Sequence, residues 1–327
     1  MTATIKDVAR LAGVSQSSVC RALAKPEQVR PETRERVERA ARDLGYYPNR
    51  AASGLITGRT HNIGVVLPDL ANPFFPSVVK SIQTQARRFD YAVFLSDTDE
   101  DPAVETTLIR ALAKQVDGFL LCSPRAADEE LRTIGEEVQT PVVVLNRRVS
   151  PFPSVTADSA DGMRQAIGHL HALGHRRVAY VAGPRTSWSN RDRLRGLRSA
   201  TTAYDMELLE AGNVAPTVDG GAAVADLVAA SPATAVIAYN DLVALGLLNR
   251  FRVRDIDVPG RISVVGFDDI LLSGLVMPPL TTVAIAKEEI GRRGVELLID
   301  LLDDRRPLNK RSPTQLIVRD STGPARS

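Results

Sequence analysis

Residues 4–23 read T-I-K-D-V-A-R-L-A-G-V-S-Q-S-S-V-C-R-A-L, and their spacing sets two short helices around a glycine turn. Thr4 with Asp7 three positions on has the form of a capping box, and Ile5, Val8, Ala9 and Ala12 form one apolar stripe. Gly13 supplies the positive φ that a tight helix–helix turn asks for. Ser15 is a suitable N-cap for a second helix over about Gln16 to Ala24, with Val19 and Leu23 inward. A third helix comes next. Pro31 opens it, Glu32 and Glu35 suit its positive end, Val37, Ala40, Ala41 and Leu44 make its buried face, and Gly45 ends it. Arg30 stands where a Ser or Thr cap would serve better.

In a helix-turn-helix the first side chains of the second helix enter the major groove. Here those are Gln16, Ser17 and Ser18, with Arg21 one turn on. Gln pairs with adenine, Ser donates or accepts, and Arg forks onto guanine O6 and N7. A three-helix bundle with an ordinary polar exterior fits the same periodicity.

Charge separates this segment from the rest. The whole chain of 327 residues carries a net +2, but residues 1–60 hold eleven basic and six acidic side chains, a net +5, leaving −3 elsewhere. A basic head on a mildly acidic body suggests a polyanion-binding module, although alternating Arg and Glu through 30–42 also describes a solvated helix face. The length suggests two or three domains. Hydrophobic residues at 44% and charged ones at 24% describe an ordinary globular protein. No apolar run approaches the ~18 residues of a membrane span, and Asp7 and Arg10 interrupt any secretory signal core, so a cytoplasmic protein is expected. Two cysteines, Cys20 and Cys122, and four scattered histidines exclude a disulfide framework and a Cys/His-rich zinc site. No cofactor is expected.

From residue 62 onward short apolar runs alternate with helical stretches: Ile63–Leu67, Tyr91–Ser96, Gly118–Cys122, Pro141–Asn146, Arg177–Ala182, Ala235–Asn240 and Ile262–Phe267. Such runs imply parallel sheets covered on both faces, with ligands beyond the carboxyl ends of the strands. Asp69 and Asn72, the stretch Cys122–Pro124, Asn146, Asn240-Asp241 and Asp268-Asp269 stand at those ends, where Asn and Asp also serve as ordinary turn and cap residues. No G-x-G-x-x-G or Walker motif comes after a strand. An enzyme reading finds the Asp268-Asp269 pair and His169, His171 and His175, but no nucleophile, base and orienting partner at workable spacing.

The stretch 4–23, then V-R-P-E-T-R-E-R-V-E-R-A-A-R-D-L-G-Y-Y-P-N-R-A-A-S-G-L (29–55), closely resembles the lactose-repressor (LacI/GalR) family of bacterial transcription regulators. I-G-V-V-L-P-D-L-A-N-P-F-F (63–75), H-L-H-A-L-G-H-R-R-V-A-Y-V-A-G-P (169–184), R-L-R-G-L (193–197), Y-N-D-L-V-A-L-G (239–246), I-S-V-V-G-F-D-D (262–269) and P-P-L-T-T-V (278–283) extend the likeness over essentially the whole chain. It implies an α/β fold: a helix-turn-helix three-helix head plus a periplasmic-binding-protein-like core of two Rossmann-like parallel-sheet subdomains joined by three crossovers. The implied boundaries are 1–47 for the head, 48–60 for hinge helix and linker, and 61–327 for the core. Within the core, 61–157 with 287–314 and 158–283 with 315–323 form the two subdomains.

The resemblance also implies roles. Gln16, Ser17 and Arg21 read bases, while Thr4, Ser15, Ser18, Thr33 and Asn49 approach phosphates. Asn49–Thr57 looks like the hinge helix, with Leu55 as a wedge in the minor groove and Ala52 against its floor. Gly54 inside it costs about 0.5–1 kcal/mol relative to Ala, so this helix is expected to order only on DNA. Ala24 replaces a family Asn. In the effector cleft, Arg193 and Asp268 would hold hydroxyl or polar groups, with Asn240, Ser189 and Asn146 adding hydrogen bonds and Phe74, Pro124 and Trp188 forming walls. Trp188 reads equally well as a surface or core residue. Ile285 and Cys122 stand where the family often has Gln and Asn. Arg125, Arg147, Arg185 and Arg191 lie near the expected cleft mouth and would suit an acidic sugar, or are simply solvated. The whole implies a homodimer on a pseudo-palindromic operator, answering to a sugar or sugar derivative. A transport-type solute-binding protein would share the core, but needs a secretion signal and no DNA-reading head.

Overall fold

The computed structural model describes residues 3–24, 28–46 and 58–326, which fall into two compact units. The first unit holds the head. Its helices are α1 (Ile5–Ala12), α2 (Gln16–Ala24) and α3 (Pro31–Asp43). The Asp7 carboxylate accepts from the Thr4 hydroxyl at 2.7 Å and the Thr4 backbone N–H at 3.0 Å, which holds that carboxyl below its usual range. Gly13 turns the chain at φ +63°, and the Ser15 hydroxyl caps α2 by accepting from Ser18 N–H at 3.1 Å. Val8, Val19 and Val37 are fully buried where the three helices meet, with Ala9, Ala12, Ala22, Ala40 and Ala41 around them. Their small side chains let the helices approach closely. Leu44, expected in the buried face, is instead half-exposed, because α3 ends at Asp43 and Gly45 reverses the chain at φ +59°. Tyr46 packs on the head core in its place, its N–H bonded to the Ala41 carbonyl at 2.8 Å. Arg30 precedes α3 without a side-chain cap. Residues 58–62 and 114–117 also belong to this unit.

The second unit is built on two six-stranded sheets. The first uses β1 (Asn62–Leu67), β2 (Ala92–Asp97), β3 (Gly118–Cys122), β4 (Val142–Leu145), β5 (Ser154–Ala157) and β11 (Lys310–Ser312), in the order β11-β5-β4-β3-β1-β2. The second uses β6 (Arg177–Ala182), β7 (Glu207–Asn213), β8 (Ala235–Ala238), β9 (Ser263–Asp268), β10 (Thr281–Ile285) and β12 (Thr314–Ile317), in the order β12-β10-β9-β8-β6-β7. The central strands are parallel and buried on both faces, as continuous apolar runs require. β12 departs from the parallel expectation: it runs antiparallel to β10, because the chain leaves the first sheet and turns into the second across Pro313 alone.

Helices α4 (Phe74–Arg88), α5 (Pro102–Leu112), α6 (Asp128–Val138), α7 (Ser159–Ala172), α8 (Trp188–Ala203), α9 (Val218–Ala230), α10 (Asp241–Val253) and α11 (Lys287–Leu302) cover the sheets. Three of the connections are single residues: Asp158 between β5 and α7, Ala286 between β10 and α11, and Pro313 between β11 and β12. α11 lies on the first sheet, with Leu298 filling the space above Gly118, while Gly162 of α7 sits against Val283 and Thr314 of the second. The chain therefore crosses between the two subdomains three times. Among the described residues no helix is long and apolar enough to cross a membrane.

Five strands, β5, β7, β10, β11 and β12, carry no legible apolar run. β11 has three residues and β12 four, both rich in polar side chains, and β7 is a sheet edge whose sequence E-L-L-E-A-G-N is half polar. Backbones of α9 and α10 touch directly: a Cβ on Gly221 would stand 2.0 Å from the Val243 carbonyl oxygen, and one on Gly246 2.0 Å from that of Val218. Gly221→Ala should therefore force the helices apart and destabilise the core by about 1–3 kcal/mol, read as a lowered melting temperature. An unchanged melt would show that the pair separates freely.

Candidate functional site

The head presents one polar row. Ser15, Gln16, Ser17 and Arg21 are exposed along the start of α2, and Ser18 is half-buried behind them. Ser15, Ser17 and Ser18 share hydroxyl contacts at 2.8 and 2.9 Å, and Arg21 Nε reaches back to the Ser17 carbonyl at 3.4 Å. Thr4 is exposed at the start of α1, and Thr33 half-buried in the first turn of α3. The starts of the three helices thus each carry a side-chain hydroxyl, from Thr4, Ser15 and Thr33. Asn49, Ala52 and Leu55, and with them the expected hinge helix, lie outside the described residues.

In the second unit a cavity opens at the carboxyl ends of strands from both sheets. Five expected effector residues line it: Phe74, Asn146, Arg193, Asn240 and Asp268. Its free volume is about 20 Å³, room for about one water molecule. Arg193 fills the centre. It is buried on α8, donates from Nη1 to the Tyr239 carbonyl and from Nη2 to Asp268 Oδ1 at 3.0 Å, and lies 3.7 Å over the Phe267 ring. Its Nε is buried with no partner among the described residues. Burial pushes the Asp268 carboxyl up to about 7, although the Arg193 charge opposes that rise. Asp268 also holds φ at +115°, a conformation that side-chain-bearing residues rarely adopt.

The two amides already have structural partners. Asn240 caps α10 by accepting from Val243 N–H at 2.9 Å and donates to the Pro216 carbonyl at 3.2 Å. Asn146 donates to the Ser123 hydroxyl at 3.1 Å, and its carbonyl accepts from the Ser189 hydroxyl at 3.2 Å. That last bond joins α8 of the second sheet to the end of β4 in the first. Phe74 stacks edge-on to Phe75, which also lines the cavity.

Cys122, Pro124, Trp188, Ser189 and Ile285 do not line it. Cys122 and Ile285 are the last residues of their strands, and both side chains belong to the apolar core, where burial pushes the Cys122 thiol up to about 12. Pro124 is buried with its carbonyl taken by Arg147, and Trp188 is half-buried at the start of α8. Asn72 and Ser123, noted in the sequence as strand-end residues without an assigned effector role, line it too, and Phe75, Glu100, Pro216 and Tyr239 are lining residues that sequence reasoning missed.

Of the four arginines expected near the mouth, only Arg125 lines the cavity. It is buried and forks onto Glu100 at 2.6 and 2.7 Å, with Nη1 on the Ser123 carbonyl. Arg147 is no mouth residue: it is buried and clamps the Pro124 and Ala126 carbonyls at 2.6 and 2.8 Å while pairing with Asp128. Arg185 and Arg191 are exposed, joined by a hydrogen bond from Arg191 to the Arg185 carbonyl. The histidines make packing contacts. His169 bonds to Thr322 and His175 to Thr234, Ser263 and the Gly323 carbonyl, while His171 packs beside Tyr204.

Comparison with known proteins fits this geometry. Residues 4–49 match the model of bacterial regulatory proteins of the lacI family, and residues 167–322 match a periplasmic binding protein-like domain. The chain is 33% identical to the HTH-type transcriptional repressor CytR of Escherichia coli (strain K12) over 330 residues, 98% of this chain and 96% of that one. A lac repressor dimer bound to operator and the anti-inducer ONPF superposes with a TM-score of 0.89 at 29% identity, covering 99% of this chain and 100% of that one. The transcriptional regulator CelR in complex with cellobiose superposes at 0.73 with 32% identity, covering 98% and 99%. A helix-turn-helix head joined to a two-subdomain binding core, matched along nearly its full length, places the chain in one group: it belongs to the LacI family of bacterial transcription regulators.

Proposed function

We propose that this protein binds a pseudo-palindromic operator as a homodimer and that a small metabolite, a sugar or sugar derivative, controls that binding. The observation that carries the reading is Arg193: a buried fork donor with an unused Nε, set against Asp268 between two subdomains. Such a donor–acceptor pair suits vicinal hydroxyls. A cavity of about 20 Å³ must widen to hold a sugar, so effector binding is coupled to subdomain opening. The complexes of the lac repressor with ONPF and of CelR with cellobiose support the ligand class.

Under this reading the chain divides into a head at 1–47, a hinge and linker at 48–60 and a core at 61–327. Gln16, Ser17 and Arg21 read bases; Thr4, Ser15, Ser18, Thr33 and Asn49 meet phosphates; Ala52 and Leu55 enter the minor groove. The effector meets Phe74, Asn146, Arg193, Asn240 and Asp268. Leu271, Leu275 and Met277 are 70–84% exposed along one turn, apolar surface suited to a second copy of the chain. The protein works in the cytoplasm on double-stranded DNA.

The test has two arms. A duplex is selected from a random library by the full chain, and its binding and stoichiometry are measured by polarisation and sedimentation. A thermal-shift screen of sugars, sugar acids and nucleobases then finds the effector, which is added to the binding assay. Lack of any preferred duplex, or a stable tetramer, overturns the respective part. Arg21→Ala should cost ~1–3 kcal/mol and relax preference at one operator position. Weakening spread evenly over all sequences would make Arg21 a phosphate contact instead.

A further inference from the structure

The segment leading into β1 is held by a side chain from the turn ahead of β3. Asp117 Oδ1 accepts from the Thr60 N–H at 2.6 Å and the Thr60 hydroxyl at 2.7 Å, and Oδ2 accepts from the His61 N–H at 3.0 Å. The Asp117 N–H donates to the Asn62 carbonyl at 2.8 Å, and Asn62 Nδ2 donates to the Gln115 carbonyl at 3.0 Å. The Thr60 hydroxyl also accepts from the Asn62 N–H at 3.2 Å. Residues 114–117 accordingly group with 58–62 in one compact unit, and not with the strand they lead into.

Ordinary sheet pairing does not ask for these bonds. β1 and β3 pair from Ile63 and Gly118 onward through their backbones, and the side-chain bonds of Asp117 go to the residues before that ladder begins. A charged acceptor makes each of them stronger than a neutral contact. β3 then runs from this turn to Cys122, and the next residue, Ser123, lines the effector cavity. Five residues at ~3.3 Å each make β3 about 17 Å long, with Asp117 just before its first residue and Ser123 just after its last.

We propose that Asp117 is a positioning residue for DNA binding: it fixes the exit of the linker at Thr60 and His61 to the start of β3, so that strand carries the core's state to the reading head. The proposal rests on the DNA-regulator reading above. It assigns Asp117 no contact with DNA or effector, which separates it from a base or phosphate reader.

The experiment uses the full chain and the duplex that the wild type selects from a random library. Asp117→Ala should weaken binding to that duplex by on the order of tenfold. The preferred sequence should stay unchanged, as should the slope of log affinity against log salt, because the head's own contacts are intact. Asp117→Asn keeps a carbonyl acceptor for Thr60 and should recover part of the loss, which also covers the case in which the alanine variant does not fold. Equal duplex affinity in wild type and both variants overturns the clamp and leaves Asp117 a strand-end cap, whatever the melting temperature does. An altered salt slope overturns it too, since Asp117 would then act through the phosphate contacts. A wild type that selects no duplex overturns the regulator reading and this one with it.

Discussion

Alanine in place of Asp241 is expected to destabilise the core by about 3–5 kcal/mol, among the largest single-residue effects that such a domain shows. The carboxylate is fully buried at the start of α10. Oδ2 accepts from the Ile270 N–H at 2.8 Å and the Ser273 hydroxyl at 2.6 Å, and Oδ1 from the Thr282 hydroxyl at 2.5 Å. Removing it strands three buried donors, each worth about 1–3 kcal/mol, less the desolvation that the carboxylate itself no longer suffers. Its place is reserved by Gly266, where a Cβ would stand 2.1 Å from Oδ1. Burial raises the Asp241 carboxyl above its ordinary value despite those donors. A raised folded-state value means that the native state binds the proton more tightly, so the wild type loses stability as pH rises from about 4. Asp241→Asn lacks that ionisation, and its melting-temperature deficit should narrow as pH rises above about 4. The alanine variant should melt lower by about 6–15 °C. A deficit under about 2 °C would mean that Ile270, Ser273 and Thr282 find other acceptors.

Asp241 also marks what the sequence did and did not disclose. In Y-N-D-L it looks like a turn residue beside Asn240, and only the fold brings Ile270, Ser273 and Thr282 around it, 29 to 41 positions away. The head was nearly fully legible, since Thr4, Asp7, Gly13 and Ser15 act on neighbours within four positions. Leu44 was misplaced because burial after a helix end depends on the turn, here Gly45, and not on the helical period. Long apolar strands such as β3 and β6 announced themselves, whereas β7 and β11 at the sheet edges need little apolar surface and gave no signal. The cavity was half legible. Strand ends located it, but alternation sends the side chains of Cys122 and Ile285 into the core, and Arg125 could be told from Arg147 only by which carbonyls and carboxylates surround each.

Arg193→Ala is expected to abolish the response to effector and to destabilise the core, and pH separates the two contributions to that loss of stability. The Arg193–Asp268 pair is buried on both sides, so deleting the cation leaves a lone buried carboxylate, at about 3–5 kcal/mol. Arg193 also covers the Phe267 ring and binds the Tyr239 carbonyl, contacts whose loss does not depend on pH. With Arg193 present, burial already pushes the Asp268 carboxyl up to about 7, against an unfolded value near 4. The native state therefore favours the protonated form, and stability falls as pH rises through that window. Without Arg193 the folded-state value moves higher still, so the variant falls further. The charge-dependent part of the Arg193→Ala penalty should accordingly vanish at pH 5, where Asp268 takes up a proton in both proteins, and appear by pH 8, on top of the loss of the Phe267 and Tyr239 contacts at both pH values. Adding Asp268→Asn removes the stranded charge and should restore much of the stability at pH 8 while leaving effector binding absent. Denaturant titrations of the wild type, the two single variants and the double variant at both pH values measure this directly. A penalty equal at pH 5 and pH 8, with no rescue by the second substitution, would assign the destabilisation to lost packing on Phe267 and leave the ion pair with no part in stability.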